Sequence, residues 1–184
     1  MYIQRIKCVI PKTFSKSIST MFAPRSLITI SGKYKSSFLQ SLITNNINIL
    51  STDQKSIHCY FLSTNGRILS ESFIYNCETS EDQTFFLECP ENLTENLLAH
   101  LQKYNFRKKL QIQLNDEFQS RVSIRDSVES NSLHKSADPR GPNGWSFREI
   151  IKKDLENDEN LIYEEYESRR IKLCIPEYPH EYIF

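Results

Sequence analysis

Leu27, Ile28 and Ile30 form a short apolar run that ends at Ser31-Gly32, and the next apolar residues, Phe38, Leu39, Leu42, Ile43 and Ile47, recur at three- and four-residue spacing. The run predicts a strand from Leu27 to Ser31, and the spacing a helix from about Lys35 to Asn46. Two strand-like runs, Ile57 to Ser63 and Arg67 to Asn76, flank Thr64-Asn65-Gly66. Asn-Gly between such runs predicts a hairpin with a type I′ turn. A fourth strand, Thr84 to Cys89, stops at Pro90. Leu93, Leu97, Leu98, Leu101 and Tyr104 then predict an amphipathic helix, and Lys109 to Leu114 and Arg121 to Arg125 read as closing strands. The order β-α-β-β-β-α-β predicts an α+β fold, a mainly antiparallel sheet with helices on one face. The polar stretch from Asp126 to Asn143 reads as a loop. Trp145 to Lys153 and Asp158 to Lys172 read as helices, the second with a dense Glu/Arg face that suits solvated surface better than docking.

Composition narrows the class only slightly. With 184 residues, 39% hydrophobic and 25% charged, the chain can bury one sizeable core. Its 23 basic and 23 acidic side chains cancel, so no global charge steers it towards nucleic acid or an anionic membrane. No run reaches the roughly 20 apolar residues of a spanning helix. The charge is nevertheless uneven, because the first acidic residue is Asp53 and the segment before it holds only cations. Arg5, Lys7, Lys12 and Lys16 alternate there with Thr13, Ser15, Ser17 and Ser19. This acid-poor, hydroxyl-rich pattern predicts a mitochondrial transit segment over 1–24. A frayed N-terminal arm is the alternative, and Pro11 argues against one continuous helix.

Five cysteines at wide spacing, with no C-x-x-C pair, speak against a disulfide framework and against a compact zinc site. Cys59, Cys77 and Cys89 sit in apolar runs, where a thiol acts as a small buried hydrophobe. No metal site and no catalytic residue is assigned. A grouped-glycine phosphate loop, a G-x-S-x-G elbow and an H-E-x-x-H pair are all absent from the sequence.

Several blocks, in order, resemble one family. They are Ser31-Gly32 with Phe38-Leu39-Gln40, Leu42 and Thr44-Asn45; Phe61 to Leu69; Phe86 to Cys89; His100 to Lys109; Asp138-Pro139-Arg140 with Gly144-Trp145; and Arg170 with Ile175-Pro176-Glu177. The pattern resembles the YgfZ/glycine-cleavage T-protein folate-binding family, in particular its mitochondrial iron–sulfur cluster assembly branch. The resemblance implies the N-terminal part of the T-protein fold, with an α+β folate-binding-like domain over 25–125. It further implies a linker and helical segment over 126–184 that begins an incomplete second subdomain. The family's K-G-C-x-x-G-Q-E signature would lie beyond Phe184, so the chain reads as C-terminally truncated.

What the resemblance implies for function is an accessory factor in four-iron four-sulfur cluster assembly in the mitochondrial matrix. Its partners would be assembly proteins and recipient apoproteins, with no nucleic acid and no membrane insertion. The alternatives are a folate-dependent aminomethyltransferase and a non-functional fragment. Tetrahydrofolate is the implied ligand, with Glu71 at about the place of the T-protein acidic residue. Tyr75 on the same strand face, Asn65 in the hairpin, and Arg140 and Arg170 complete the candidate pocket. The plain alternatives are an exposed strand position for Glu71, and pairing of each arginine with Asp138 or a nearby glutamate. Lys172, where T-proteins carry a glutamate, and Cys174, where they carry a glycine, depart from the enzyme pattern.

Overall fold

The computed structural model describes residues 24–51, 55–78, 83–106, 109–124, 126, 132–142, 144–153 and 160–177. The transit segment expected over 1–24 thus lies almost wholly outside the described residues.

Five strands make the larger sheet: β1 (Arg25–Ser31), β2 (Ser56–Leu62), β3 (Ile68–Glu78), β4 (Gln83–Pro90) and β5 (Gln111–Asn115), in the order β2-β3-β4-β1-β5. Every neighbouring pair is antiparallel. Strand periodicity sends alternate residues to opposite faces. One face carries Ile28, Ile30, Ile57, Cys59, Phe61, Ile74, Phe85 and Leu87, all buried. On it pack Leu39 from α1 (Lys35–Gln40) and Leu97 and Leu101 from α2 (Thr94–Tyr104). The predicted α+β architecture, with these helices on one face of an antiparallel sheet, is what the chain adopts.

The other face is covered by a second sheet, with strands β6 (Phe118–Ser123), β7 (His134–Ala137) and β8 (Phe147–Lys152) in the order β6-β8-β7. Ile150 of β8 and Phe118 of β6 pack against Leu27, Phe73, Tyr75, Cys77 and Phe86. The final helix, α3 (Asn160–Lys172), sends Tyr166 to stack on Trp145 beside Ile124 and Ile175. The smaller sheet joins β6, which precedes position 125, to β8 and β7, which follow it.

Three local expectations are corrected. The first helix stops at Gln40 instead of reaching Asn46, because the following residues serve the edge of β2. The Thr44 N–H donates to the Tyr60 carbonyl (3.1 Å), the Tyr60 N–H to Thr44 Oγ1 (3.0 Å), and Asn45 Nδ2 to the His58 carbonyl (2.9 Å). A covered edge strand is worth more here than another helical turn. Secondly, the segment from Trp145 to Lys153 is not helical. It contains the central strand of the smaller sheet, and within the supposed loop before it lies β7, whose His134 to Ala137 pair with Ile150 to Phe147.

The hairpin is real, but its turn is not type I′. Only Gly66 has positive φ (+75°), and Asn65 does not. The Gly66 N–H donates to the Ser63 carbonyl (2.9 Å) and the Ser63 N–H to the Arg67 carbonyl (2.7 Å). This is the three-residue loop in which a type I turn is followed by a left-handed glycine.

Candidate functional site: a buried ion network between the sheets

The charged side chains gather on the face of the larger sheet that meets the smaller one. On β3, Glu71 and Phe73 point there, while Ser70, Ser72 and Ile74 point to the helices. Register brings partners opposite one another, with Tyr60 across from Glu71, His58 across from Phe73, and Glu88 flanked by Phe73 and Leu27. Arg25 enters from the start of β1 and Arg148 from β8. Asp138 and Arg140 come from the turn after β7, which is closed by Asp138 N–H to Ser146 O (3.0 Å) and Trp145 Nε1 to Asp138 O (3.2 Å).

Arg148 is the hub. Its Nη1 lies 2.7 Å from Glu88 Oε1 and its Nε 2.8 Å from Asp138 Oδ2, and its guanidinium sits 3.6 Å above the centroid of Phe73. Glu88 also pairs with Arg25 and accepts a hydrogen bond from the Tyr75 hydroxyl. Arg140 donates to Asp138 (2.9 Å), Glu71 (3.3 Å), Glu177 (3.0 Å) and the Tyr166 hydroxyl (2.9 Å). His58 Nε2 lies 3.0 Å from Glu71 Oε1, and the Tyr166 hydroxyl donates to Glu177 Oε2 at 2.5 Å. Three guanidiniums therefore stack around one phenyl ring, a cation–π arrangement that stabilises cations taken out of water. Arg25 Nη1 and Arg148 Nη2 are buried without a hydrogen-bond acceptor, at 3.7 and 3.9 Å from Glu177 Oε1.

The titration behaviour follows from this geometry. Burial alone would raise the Glu71 carboxyl, but the His58 hydrogen bond and the charges of Arg25 and Arg140 outweigh it and bring it down to about 2. Burial likewise opposes ionisation of Glu88 and Asp138, and Arg148 together with Arg25 or Arg140 outweighs it and lowers both carboxyls. Burial and the charge of Glu88 push the Tyr75 phenol up, so it stays a donor. His134, whose ring meets Tyr75 edge-on at 5.3 Å, is lowered to about 4 by burial and then by the charge of Lys55.

Of the pocket candidates, Glu71, Tyr75 and Arg140 come together in this network. Asn65 does not, being exposed at the hairpin tip. Nor does Arg170, which donates to Glu167 (2.9 Å) and to the Ile175 carbonyl (2.8 Å). Arg170 thereby anchors the segment that delivers Glu177. Lys172 is exposed, and Cys174 is exposed in the left-handed conformation (φ 54°). That conformation accounts for the family's glycine at this place, since the residue closing a helix there favours glycine. Cys59 and Cys77 are buried as expected, and burial pushes both thiols up to about 12. The sequence reading missed Arg25, Glu88 and Arg148. One signal was there, since Glu88 is a lone charge inside the apolar run Phe85 to Cys89, and a buried charge requires a partner.

A glutamate already bonded to His58 and Arg140, and 1% exposed, does not fit the role of a free carboxylate for a pterin ring. Tyr75 is likewise committed to Glu88.

The fold is that of a T-protein. The chain aligns with the crystal structure of the glycine cleavage system aminomethyltransferase T from Bartonella henselae at a TM-score of 0.51 and 15% identity, covering 71% of this chain and 40% of that one. No family model matches the sequence. Curated relatives do, among them several described as iron–sulfur cluster assembly factor IBA57 homologues, mitochondrial. The Pyricularia oryzae protein is 30% identical over 103 residues, 56% of this chain and 26% of its own length. The Neurospora crassa protein is 30% identical over 117 residues (57% and 26%) and that of Dictyostelium discoideum 30% over 127 residues (58% and 29%). The chain thus spans little more than a quarter of the length of these relatives. Over the matched span its sequence is similar to these IBA57 homologues, and its fold to the N-terminal part of the T-protein fold.

Proposed function

We propose that the protein is an accessory factor in mitochondrial iron–sulfur cluster assembly, acting in the matrix with assembly proteins and recipient apoproteins. The observation that carries this reading is the match of about 30% identity, over more than half the chain, to several curated IBA57 homologues. The geometry supports an accessory role over turnover. Glu71, placed by resemblance where T-proteins carry their acidic residue, is used internally as a strut between β2, β3 and the Asp138–Arg140 turn. The T-protein fold keeps tetrahydrofolate in view as a ligand, but these side chains would have to exchange partners to admit it.

Depleting the protein and assaying enzymes that carry four-iron four-sulfur clusters, in isolated mitochondria, tests the assignment. Selective loss of those activities, restored by re-expression, is expected; unchanged activities would overturn it. Fusing residues 1–30 to a fluorescent reporter tests the location, with mitochondrial signal expected.

A further inference from the structure

The two edges of the larger sheet are finished differently. On the outer side of β2, Thr44 and Asn45 bond to the backbone of Tyr60 and His58. The opposite edge is β5, and among the described residues no strand pairs with its outer side. Its sequence, Gln111-Ile112-Gln113-Leu114-Asn115, carries no charge and no proline, the devices that commonly keep an edge from pairing.

The register shows which backbone groups lie open. Along β1 the hydrogen bonds alternate between its two neighbours. The Glu91 N–H donates to the Pro24 carbonyl (2.9 Å), one step beyond the Arg25–Pro90 pair, so even-numbered residues of β1 bond to β4 and odd-numbered ones to β5. Leu27, Thr29 and Ser31 face Asn115, Gln113 and Gln111, which therefore bond inwards, and Thr29 Oγ1 also donates to the Gln113 carbonyl (3.2 Å). The N–H and C=O of Ile112 and Leu114 point outwards. One step earlier, the same groups of Leu110 are held by the Asn105 side chain, at 3.3 and 2.8 Å.

We infer that a second copy of this chain pairs with this edge, β5 against β5 in antiparallel sense, about a two-fold axis at Gln113. In that register Ile112 lies opposite the second copy's Leu114, and Leu114 opposite its Ile112. Each opposed pair exchanges both N–H···O=C bonds, so every outward group of Ile112 and Leu114 is satisfied on both strands. An axis at Ile112 would instead oppose Leu114 to Leu110, whose groups Asn105 already holds. The side chains agree with the backbone. Ile112 packs on the apolar layer under the helices, and Leu114, 43% exposed, is on the same face. Pairing gives each Leu114 an isoleucine as its cross-strand neighbour. An unrelated strand would satisfy the ladder alone, whereas the placing of Ile112 and Leu114 about Gln113 matches an identical strand. The pairing is independent of the assembly role.

Analytical ultracentrifugation of the full chain over a concentration series tests the inference. The strand is short, so a dimer that dissociates at about 10–100 μM is expected. Leu114→Pro removes an outward N–H from each copy while sparing the bonds to β1, and should raise the dissociation constant at least about tenfold. Crosslinking reads the axis itself. Opposed residues of a pair that exchanges no hydrogen bonds lie about 4.5 Å apart at Cα, within disulfide range. In a chain carrying Cys8→Ser and Cys174→Ser, Gln113→Cys should form a covalent dimer on oxidation with diamide. Gln111→Cys, about 14 Å from its own copy in this register, should not. Both glutamines are exposed, and an unchanged circular dichroism melt verifies that the variants fold. A single monomeric mass up to about 1 mM, no crosslink at Gln113→Cys, equal crosslinking at both positions, or a Leu114→Pro chain that dimerises as the parent does would overturn the proposal.

Discussion

The two faces of the larger sheet are equally buried and chemically opposite. Strand β3 serves both at once. Its Ser70, Ser72 and Ile74 join an apolar layer under the helices, while Glu71, Phe73 and Tyr75 join a layer in which three arginines meet four carboxylates. An apolar layer tolerates approximate packing, because dispersion and burial are non-directional. A charged layer does not, since the desolvation of each ion is offset only by correctly placed partners. The helix face therefore supplies stability, and the network face fixes how β1, β3, β4, β8 and the Glu177 segment sit together.

The difference should show first in single substitutions. Arg148→Met removes the hub and leaves Glu88 and Asp138 facing each other without their shared cation. Denaturant midpoints should register a loss of about 3–5 kcal/mol. Leu87→Ala, central on the apolar face and fully buried, should cost about 2–4 kcal/mol as a cavity. The sharper contrast lies in coupling. Arg148→Met combined with Glu88→Gln should cost well below the sum of the two single changes. Additive energies would mean that the charged residues do not act as a network.

An acid titration gives the next largest effect and falls most heavily on the network face. His134, ordinarily near 6.5, is lowered to about 4, so the unfolded chain takes up a proton that the fold refuses. Stability should fall as pH drops through that window. Glu71, lowered from 4.5 to about 2, contributes stability that is fully present above 4.5 and is lost as pH falls towards 2; Glu88 and Asp138 act in the same direction. At about 1.4 kcal/mol per pH unit, His134 and Glu71 each account for about 3 kcal/mol. Urea midpoints at neutral, mildly acid and strongly acid pH should show both steps. His134→Asn should remove the upper step, and Glu71→Gln should reduce the lower one, Glu88 and Asp138 keeping the remainder. A flat profile down to pH 3 would contradict the assigned shifts.

The apolar face was legible in the sequence, and the network was legible only in part. Each strand of the larger sheet has its own local alternation, so Leu27 to Ser31 and Thr84 to Cys89 announce themselves, and from Ser70 to Tyr75 the two faces of β3 could be separated from residue parity alone; Leu69, which parity puts beside Glu71, joins the helix side at the irregularity opposite Phe61 and Leu62. Strand β7 could not be found that way. His-Lys-Ser-Ala has no apolar period, and it is a strand because β8 offers it a ladder. Strand β8 was misread because Ile150-Ile151 and the surrounding charges also fit a helical spacing. The network draws on β1, β2, β3, β4, β8, α3 and two turns, so its assembly is a tertiary fact. Resemblance drew attention to Glu71, Arg140 and Glu177, but nothing in those blocks says that they bind one another.

The smallest expected effect concerns the hairpin that decides which β3 residues reach which face. Side chains alternate with a period of two, so a slip of one residue between β2 and β3 would send Glu71 under the helices and Ser70 and Ser72 into the network. The register is held by the Ser63–Gly66 turn and the left-handed Gly66. A Cβ there meets nothing within 4 Å, so the cost of replacing Gly66 is conformational rather than steric crowding by neighbours. Gly66→Val should destabilise by about 1–3 kcal/mol, and Gly66→Asn by well under 1 kcal/mol, because asparagine tolerates the left-handed region and a β-branched residue does not. Asn65→Ala should be nearly neutral, since Asn65 sits at negative φ, whereas a type I′ turn would make it costly. Equilibrium denaturation of the three variants ranks them. A large loss for Asn65→Ala would restore the type I′ turn. Indifference to Gly66→Val would show that the register is set by the two packed faces themselves, with the turn merely following.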